Sequence, residues 1–294
     1  MIKQKIYVCA AIVLLGTSAC QDVISVDLDQ GEPLVVVDAW LNNLAEDQTI
    51  TLQTTQPYFD STSVVYIDNA SVVVNSSSGK SLIFENQGQG TYIWTSDDGE
   101  TIGEVGDEFE LVINANETTY SSNTALYPVC TVDSISQEFR ENEAFLDDGI
   151  YAQFFARDLE GLGNTYWIKT FKNGVYLNRP LELNIAFDAV RAAGADVDNI
   201  IFIPPIREGV NELTNENIPI AWEQGETIRV EIHSISNEAF DFLDLAQRQI
   251  LNGLSTIFAE PLVNVQGNID SSDEKEVLGV FNVAAVSSLE EVIK

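Results

Sequence analysis

The stretch Thr165-Tyr-Trp-Ile-Lys-Thr-Phe-Lys-Asn-Gly-Val-Tyr-Leu177 decides how this chain is read. Aromatic and β-branched residues interleave with polar ones on both sides of Asn173-Gly174. A two-residue type I′ turn needs positive φ at both central positions, which Asn and Gly tolerate best, so the segment predicts a β-hairpin. The same signals recur outward from it. Leu34-Val-Val-Val-Asp-Ala-Trp-Leu41 is short, β-branched and bounded by turn formers, which predicts a buried strand. Further strand-like runs fall at 49–54, 71–75, 81–84, 91–95, 108–114, 131–139, 226–232 and 278–286, separated by clusters of Gly, Asn, Asp and Ser. Residues 141–148 are acidic and turn-like. Short strands at nearly even spacing, with no helical period between them, predict a mainly β chain. The expected architecture is two antiparallel β-sandwich domains, immunoglobulin/prealbumin-like, over 33–127 and 131–290.

One helix is expected in the second domain, near 237–251. Ser236 is its candidate N-cap, and Ala239, Phe242, Leu243, Ala246 and Ile250 form an apolar stripe at helical spacing. Asn252-Gly253 supplies a left-handed C-cap. The stripe is read as core packing, because one helix on a sheet buries its apolar face at home. Residues 184–218, with Gly194, Pro204-Pro205 and Gly209, read as a long irregular excursion.

The first nineteen residues stand apart. Lys3 and Lys5 precede the apolar run Ile6–Leu15, and Gly16-Thr17-Ser18-Ala19 leads to Cys20. A basic start, a short apolar core and a small-residue exit describe a signal peptide, too short for a permanent membrane span. A Cys directly after Ala19 fits a bacterial lipoprotein signal, in which Cys20 is acylated (palmitate among its chains) and becomes the mature first residue. The lipid on Cys20 then holds the protein to a membrane, and 20–32, with Asp22, Asp27, Asp29 and Glu32, forms an acidic tether.

Charge narrows the partners. The 294 residues carry 14 Lys and Arg against 46 Asp and Glu, a formal charge of −32. Loss of Lys3 and Lys5 with the leader makes the mature chain more negative. Such a body repels phosphate backbones, and the cations are scattered singly, so nucleic acid is excluded as a partner. With 45% hydrophobic residues the chain has the balance of a globular protein.

The inventory of reactive groups is thin. Cys9 leaves with the leader and Cys20 takes lipid, so Cys130 is the single remaining thiol, with no basic neighbour in sequence to activate it. A buried, inert role is expected. His233 is the only histidine, and Ser234 beside it points to the opposite strand face. Zinc sites need several His or Cys ligands. Asp27-Leu-Asp29, Asp196-Val-Asp198 and the group Asp270, Asp273, Glu274 and Glu276 are oxygen-rich, but none follows the EF-hand pattern. They are read as solvated surface, so no metal and no cofactor are expected. Trp40, Trp94 and Trp167 lie in strand patterns and are assigned to core. Trp222, in a less regular stretch, joins Pro204, Pro205 and Arg207 of the excursion as the candidate binding surface, since long loops usually carry function.

The chain also resembles a Bacteroidota lipoprotein family, domain of unknown function 4249 (DUF4249). The resemblance is carried by Cys20 with its acidic leader, by Leu34-Val-Val-Val-Asp38 with Trp40, and by Tyr166-Trp167 before Asn173-Gly174. It continues in Pro261-Leu-Val-Asn-Val-Gln-Gly-Asn-Ile-Asp270 with Leu278-Gly-Val-Phe281. It implies a role at the cell envelope beside a TonB-dependent outer-membrane receptor, facing the cell exterior, and brings no catalytic residues. The expectation is therefore a non-enzymatic binding or accessory subunit of an uptake system. A secreted hydrolase using carboxylates and a structural, adhesive surface lipoprotein stay open as alternatives.

Overall fold

The computed structural model describes residues 32–56, 64–144, 146–252 and 264–294. Cys20, the leader, the tether before Glu32 and the C-cap Gly253 lie outside the described residues. The chain is mainly β. A first sheet is built from β1 (Val35–Asn42), β2 (Gln48–Thr54), β3 (Val65–Tyr66), β4 (Ser71–Ser76), β5 (Ser81–Gly88), β6 (Thr91–Trp94), β7 (Glu108–Ala115) and β8 (Thr118–Ala125). Alternation places Val37, Ala39, Leu41, Ile50, Leu52, Val72, Val74, Phe109, Leu111 and Ile113 on its inner face, where all are buried. The hairpin β9 (Val132–Arg140) and β10 (Gly149–Ala156) follows, and then β11 (Thr165–Lys172), β12 (Val175–Tyr176) and β13 (Asn184–Phe187). Asn173 (φ +51) and Gly174 (φ +79) make the left-handed turn between β11 and β12, as their identities require.

After the short helix α1 (Pro204–Glu208) come β14 (Thr227–Ile235), helix α2 (Asn237–Asn252), β15 (Asp270–Ser271), β16 (Val277–Ala284) and β17 (Val286–Val292). The Ala239 N–H donates to Ser236 Oγ at 3.1 Å, so the expected N-cap is the observed one. Central strands β11 and β14 pair antiparallel, with β17 beyond β14 and with β12 and β13 sharing the free edge of β11.

Three features depart from the sequence expectation. First, residues 33–127 do not complete the first sheet by themselves. β16 adds to β1 from Val35↔Val277 to Asn42↔Ala284, and β15 adds to β8. Second, the β1–β16 pairing is parallel, so the sheet is not antiparallel throughout. The pairing is close at Gly279 (φ +103), where a Cβ would sit 1.8 Å from the Val37 carbonyl oxygen. A parallel bridge from Tyr127 to Ala284 then brings the end of β8 to β16, and the sheet nearly closes. Third, the run expected as one closing strand over 278–286 breaks at Ala285. Its N–H and C=O bond with Ser234, at 2.9 Å to the hydroxyl and 3.0 Å from the N–H, and the chain passes from the first sheet into the second.

The excursion 184–218 is also different. Ile185, Ala186, Ala189, Phe202, Ile206 and Val210 are buried, and β13 and α1 lie within it. Its Pro and Gly residues punctuate the segment without freeing it from the core.

Candidate functional site

Strand alternation on β11 and β14 separates two chemistries. Tyr166 and Ile168 face one way with Ile228, Val230 and Ile232, and close an apolar core with Phe154, Phe202 and Trp222. On the opposite face Trp167 stands across from His233, Lys169 across from Glu231, and Phe171 across from Arg229. Four ionisable residues, Lys169, Arg229, Glu231 and His233, thus share one face of a two-strand ladder, a pattern set by the period of two alone.

Glu231 is the hub. One carboxylate oxygen lies 2.9 Å from His233 Nε2 and the other 2.7 Å from Arg229 Nη1, while both the His233 and Glu231 side chains are buried. Burial alone would raise the Glu231 carboxyl. The hydrogen bond and charge of His233, with Arg229 and Lys169, more than offset this and hold it below the usual carboxylate range. Burial pushes His233 down to about 4 against the pull of Glu231, so the imidazole is neutral at pH 7. Lys169 falls to about 8, chiefly through desolvation, with Glu231, Glu46 and Asp38 opposing. Its ammonium sits 4.1 Å from the Trp167 ring centroid and 5.9 Å from that of Tyr176. Trp40 of β1 packs edge-on against Trp167 at 5.0 Å, and Phe242 of α2 lies 6.5 Å from Trp40.

This cluster is tied up internally. The cavity beside it, lined by Trp40, Trp167, Lys169, His233 and Asn282, measures about 10 Å³. That is room for one water at most and not for a substrate. A larger cavity of about 140 Å³ lies at the start of α2, lined by Tyr127, Thr165, Ser234, Ser236 and Glu238. It is still below the range of small-molecule sites. Its hydroxyls are already spent: Thr165 donates to the Ile235 carbonyl at 2.6 Å and Ser234 to the Tyr127 carbonyl at 2.8 Å. Among the described residues, no three His, Cys, Asp or Glu side chains converge as metal ligands.

The sequence-derived binding surface is not assembled. Trp222 is 4% exposed, and its indole N–H donates to Asn211 Oδ1 at 2.9 Å. Asn211 in turn donates from Nδ2 to the Ala152 carbonyl at 2.9 Å and accepts the Ala152 N–H at 2.9 Å. Trp222 therefore pins the segment onto β10 and is no contact residue, because a buried indole needs a partner for its N–H and finds it inside. Arg207 stacks on Phe155 at 4.6 Å. Only Pro204 and Pro205 lie exposed, at the start of α1. Cys130 is buried, as expected, and burial with the nearby Asp158 pushes its thiol up to about 12.

What the sequence reading passed over is a shallow groove of about 540 Å³ between β9 and β17, lined by Ile135, Phe139, Ile150 and Glu291. Phe139 is 64% exposed there and Val292 nearby is 53% exposed.

A family model, Domain of unknown function (DUF4249), matches residues 21–290. No curated protein matches the chain.

Proposed function

Because the chain belongs to the DUF4249 family, we propose that it acts as a non-enzymatic binding or accessory subunit of a TonB-dependent outer-membrane uptake system. In this reading it is a lipoprotein held to the outer membrane through Cys20, facing the cell exterior. The observation that carries the reading is the leader: Lys3, Lys5, an apolar run and small residues ending at Cys20. The reactive groups point the same way. The single histidine is neutral and bonded to Glu231, and the thiol of Cys130 is buried and far from its ionised form.

The same proposal takes the two sheet assemblies as sandwich-type, immunoglobulin/prealbumin-like bodies that present partner contacts at their margins. The exposed Phe139 and Val292 replace the excursion 184–218 as the surface to test, since that excursion carries core residues whose loss would unfold the chain. Fractionation of cells carrying Cys20→Ser tests the anchor. The variant is expected in the soluble fraction, because among the described residues no helix is long and apolar enough to cross a membrane. Membrane retention of Cys20→Ser in high salt would overturn the lipid anchor. Co-purification of a receptor that Phe139→Ser abolishes in folded protein would support the accessory role, and turnover of a polymer lost at one acidic position would replace it with the hydrolase reading.

A further inference from the structure

Asp158 and Asp188 are the most deeply buried carboxylates of the described chain, 2% and 0% exposed. Each is half satisfied. Asp158 Oδ1 accepts the Tyr166 hydroxyl at 2.7 Å. Asp188 Oδ1 accepts the N–H groups of Gly163 and Asn164 at 2.7 and 2.8 Å. In both, the second oxygen, Oδ2, is buried with no hydrogen-bond partner among the described residues. The two are close enough that the charge of Asp188 acts on Asp158. Burying one ionised carboxylate without a partner is heavily unfavourable, and burying two together is worse. Something from outside must neutralise them, and the choice lies between a proton and a cation.

The surroundings favour a cation. Asp158 opens onto a cavity of about 400 Å³ whose other lining groups include Asp133, Glu160 and Asn199. The one guanidinium there, Arg157, already donates to the Asn199 carbonyl at 2.7 Å. A water-accessible recess lined by acids concentrates cations. The loop between Asp158 and Asn164 carries further hard oxygens: the carbonyls of Leu159 and Gly161 accept from the Asn164 amide, and each keeps a second lone pair. Asp198, one of the oxygen-rich positions of the sequence, holds this loop by accepting the Gly161 N–H at 2.9 Å. Oxygen donors only, two of them carboxylates and the rest neutral, suit calcium and exclude softer metals.

We propose that Asp158 and Asp188, with the 159–164 loop, form a site for one calcium ion that fastens the β10–β11 connection to the end of β13.

Terbium, a calcium surrogate excited through nearby tyrosine, reads the site directly in chelator-treated full-length protein, because Tyr166 bonds to Asp158. One equivalent is expected to bind in excess magnesium, with sensitised emission that calcium displaces. Tyr166→Phe should keep calcium binding while losing most of the emission, and Asp188→Asn should weaken binding at least tenfold. Saturating calcium should raise the wild-type melting temperature by about 5 °C, an effect absent in Asp188→Asn. If Asp188→Asn fails to fold, calorimetric titration of calcium into the wild type decides alone. No binding there, or binding unchanged in Asp158→Asn and Asp188→Asn, overturns the proposal. Wild-type stability that ignores calcium and falls as pH rises identifies a shared proton in its place.

Discussion

The two faces of β16 meet two different interiors. Phe281 and Val283 point into the first sheet, whose buried side chains are apolar or neutral polar, such as Gln48, Ser122 and Thr124, and where the Tyr92 hydroxyl finds a partner in the Ile67 carbonyl at 2.8 Å. Val280 and Asn282 point the other way, toward Trp40, α2 and the ladder that carries Lys169, Glu231 and His233. Asn282 is fully buried, accepts the Ser236 N–H at 2.9 Å and finds no partner for its own Nδ2 among the described residues. One interior rests on packing, which is insensitive to pH and salt. The other rests partly on charge, whose worth depends on every partner being present. A single strand therefore reports on both.

The largest expected effect falls on the packed side. Phe281→Ala removes a ring that is 0% exposed in the first core, and stability should drop by about 3–5 kcal/mol in chemical denaturation. Asn282→Ala, one residue along, should cost about 1–2 kcal/mol, since it strands the Ser236 N–H but also removes an unsatisfied amide. Equal losses at the two positions would erase the contrast between the interiors.

The charged side breaks differently. Glu231→Gln leaves Arg229, Lys169 and His233 without their hub. The loss should be about 2–3 kcal/mol, below the full cost of a severed buried pair, because Arg229 reaches solvent and Lys169 can release its proton. Added salt should leave this loss nearly unchanged, as buried pairs are weakly screened. A loss that vanishes at high salt would make the cluster a surface feature.

How much of this was legible in the sequence follows the same division. The strands of the first sheet and the Asn173-Gly174 hairpin were readable because alternation and turn chemistry are local. So was α2, from its Ser236 cap, although its buried face runs through Ala239, Phe240 and Leu243 and leaves Ile250 of the expected stripe 53% exposed. β8 was not: its inward residues are Tyr120, Ser122 and Thr124, which imitate a polar loop. β13 was hidden by the Pro and Gly residues that follow it. The parallel return of β16 to β1 joins residues more than 240 positions apart, and nothing local encodes such a pairing. Trp222 was misplaced because an irregular stretch was equated with an exposed one, whereas Asn211 supplies the indole with a partner indoors. His233 and Glu231 were both visible, and their spacing put them on one face. That this face would be covered by Trp40 was a tertiary fact.

The effect most specific to the charged interior is a titration. His233 titrates at about 4 in the folded chain and near 6.5 when unfolded. Between those values the unfolded chain binds a proton that the folded one refuses. Stability from this group is therefore complete above about pH 6.5 and is lost as pH falls toward 4. Glu231, held below its ordinary range, continues the loss in the same direction once pH passes through the carboxylate region. Acidification also relieves the repulsion of a chain at −32, which works the opposite way, so the contribution is isolated by difference. His233→Gln keeps a side chain able to bond Glu231 but removes the titration. From pH 7 to 5 the wild type should lose about 1–2 kcal/mol relative to this variant in urea midpoints. Parallel stability curves for the two proteins across that window would mean that His233 is free to take up its proton in the folded state.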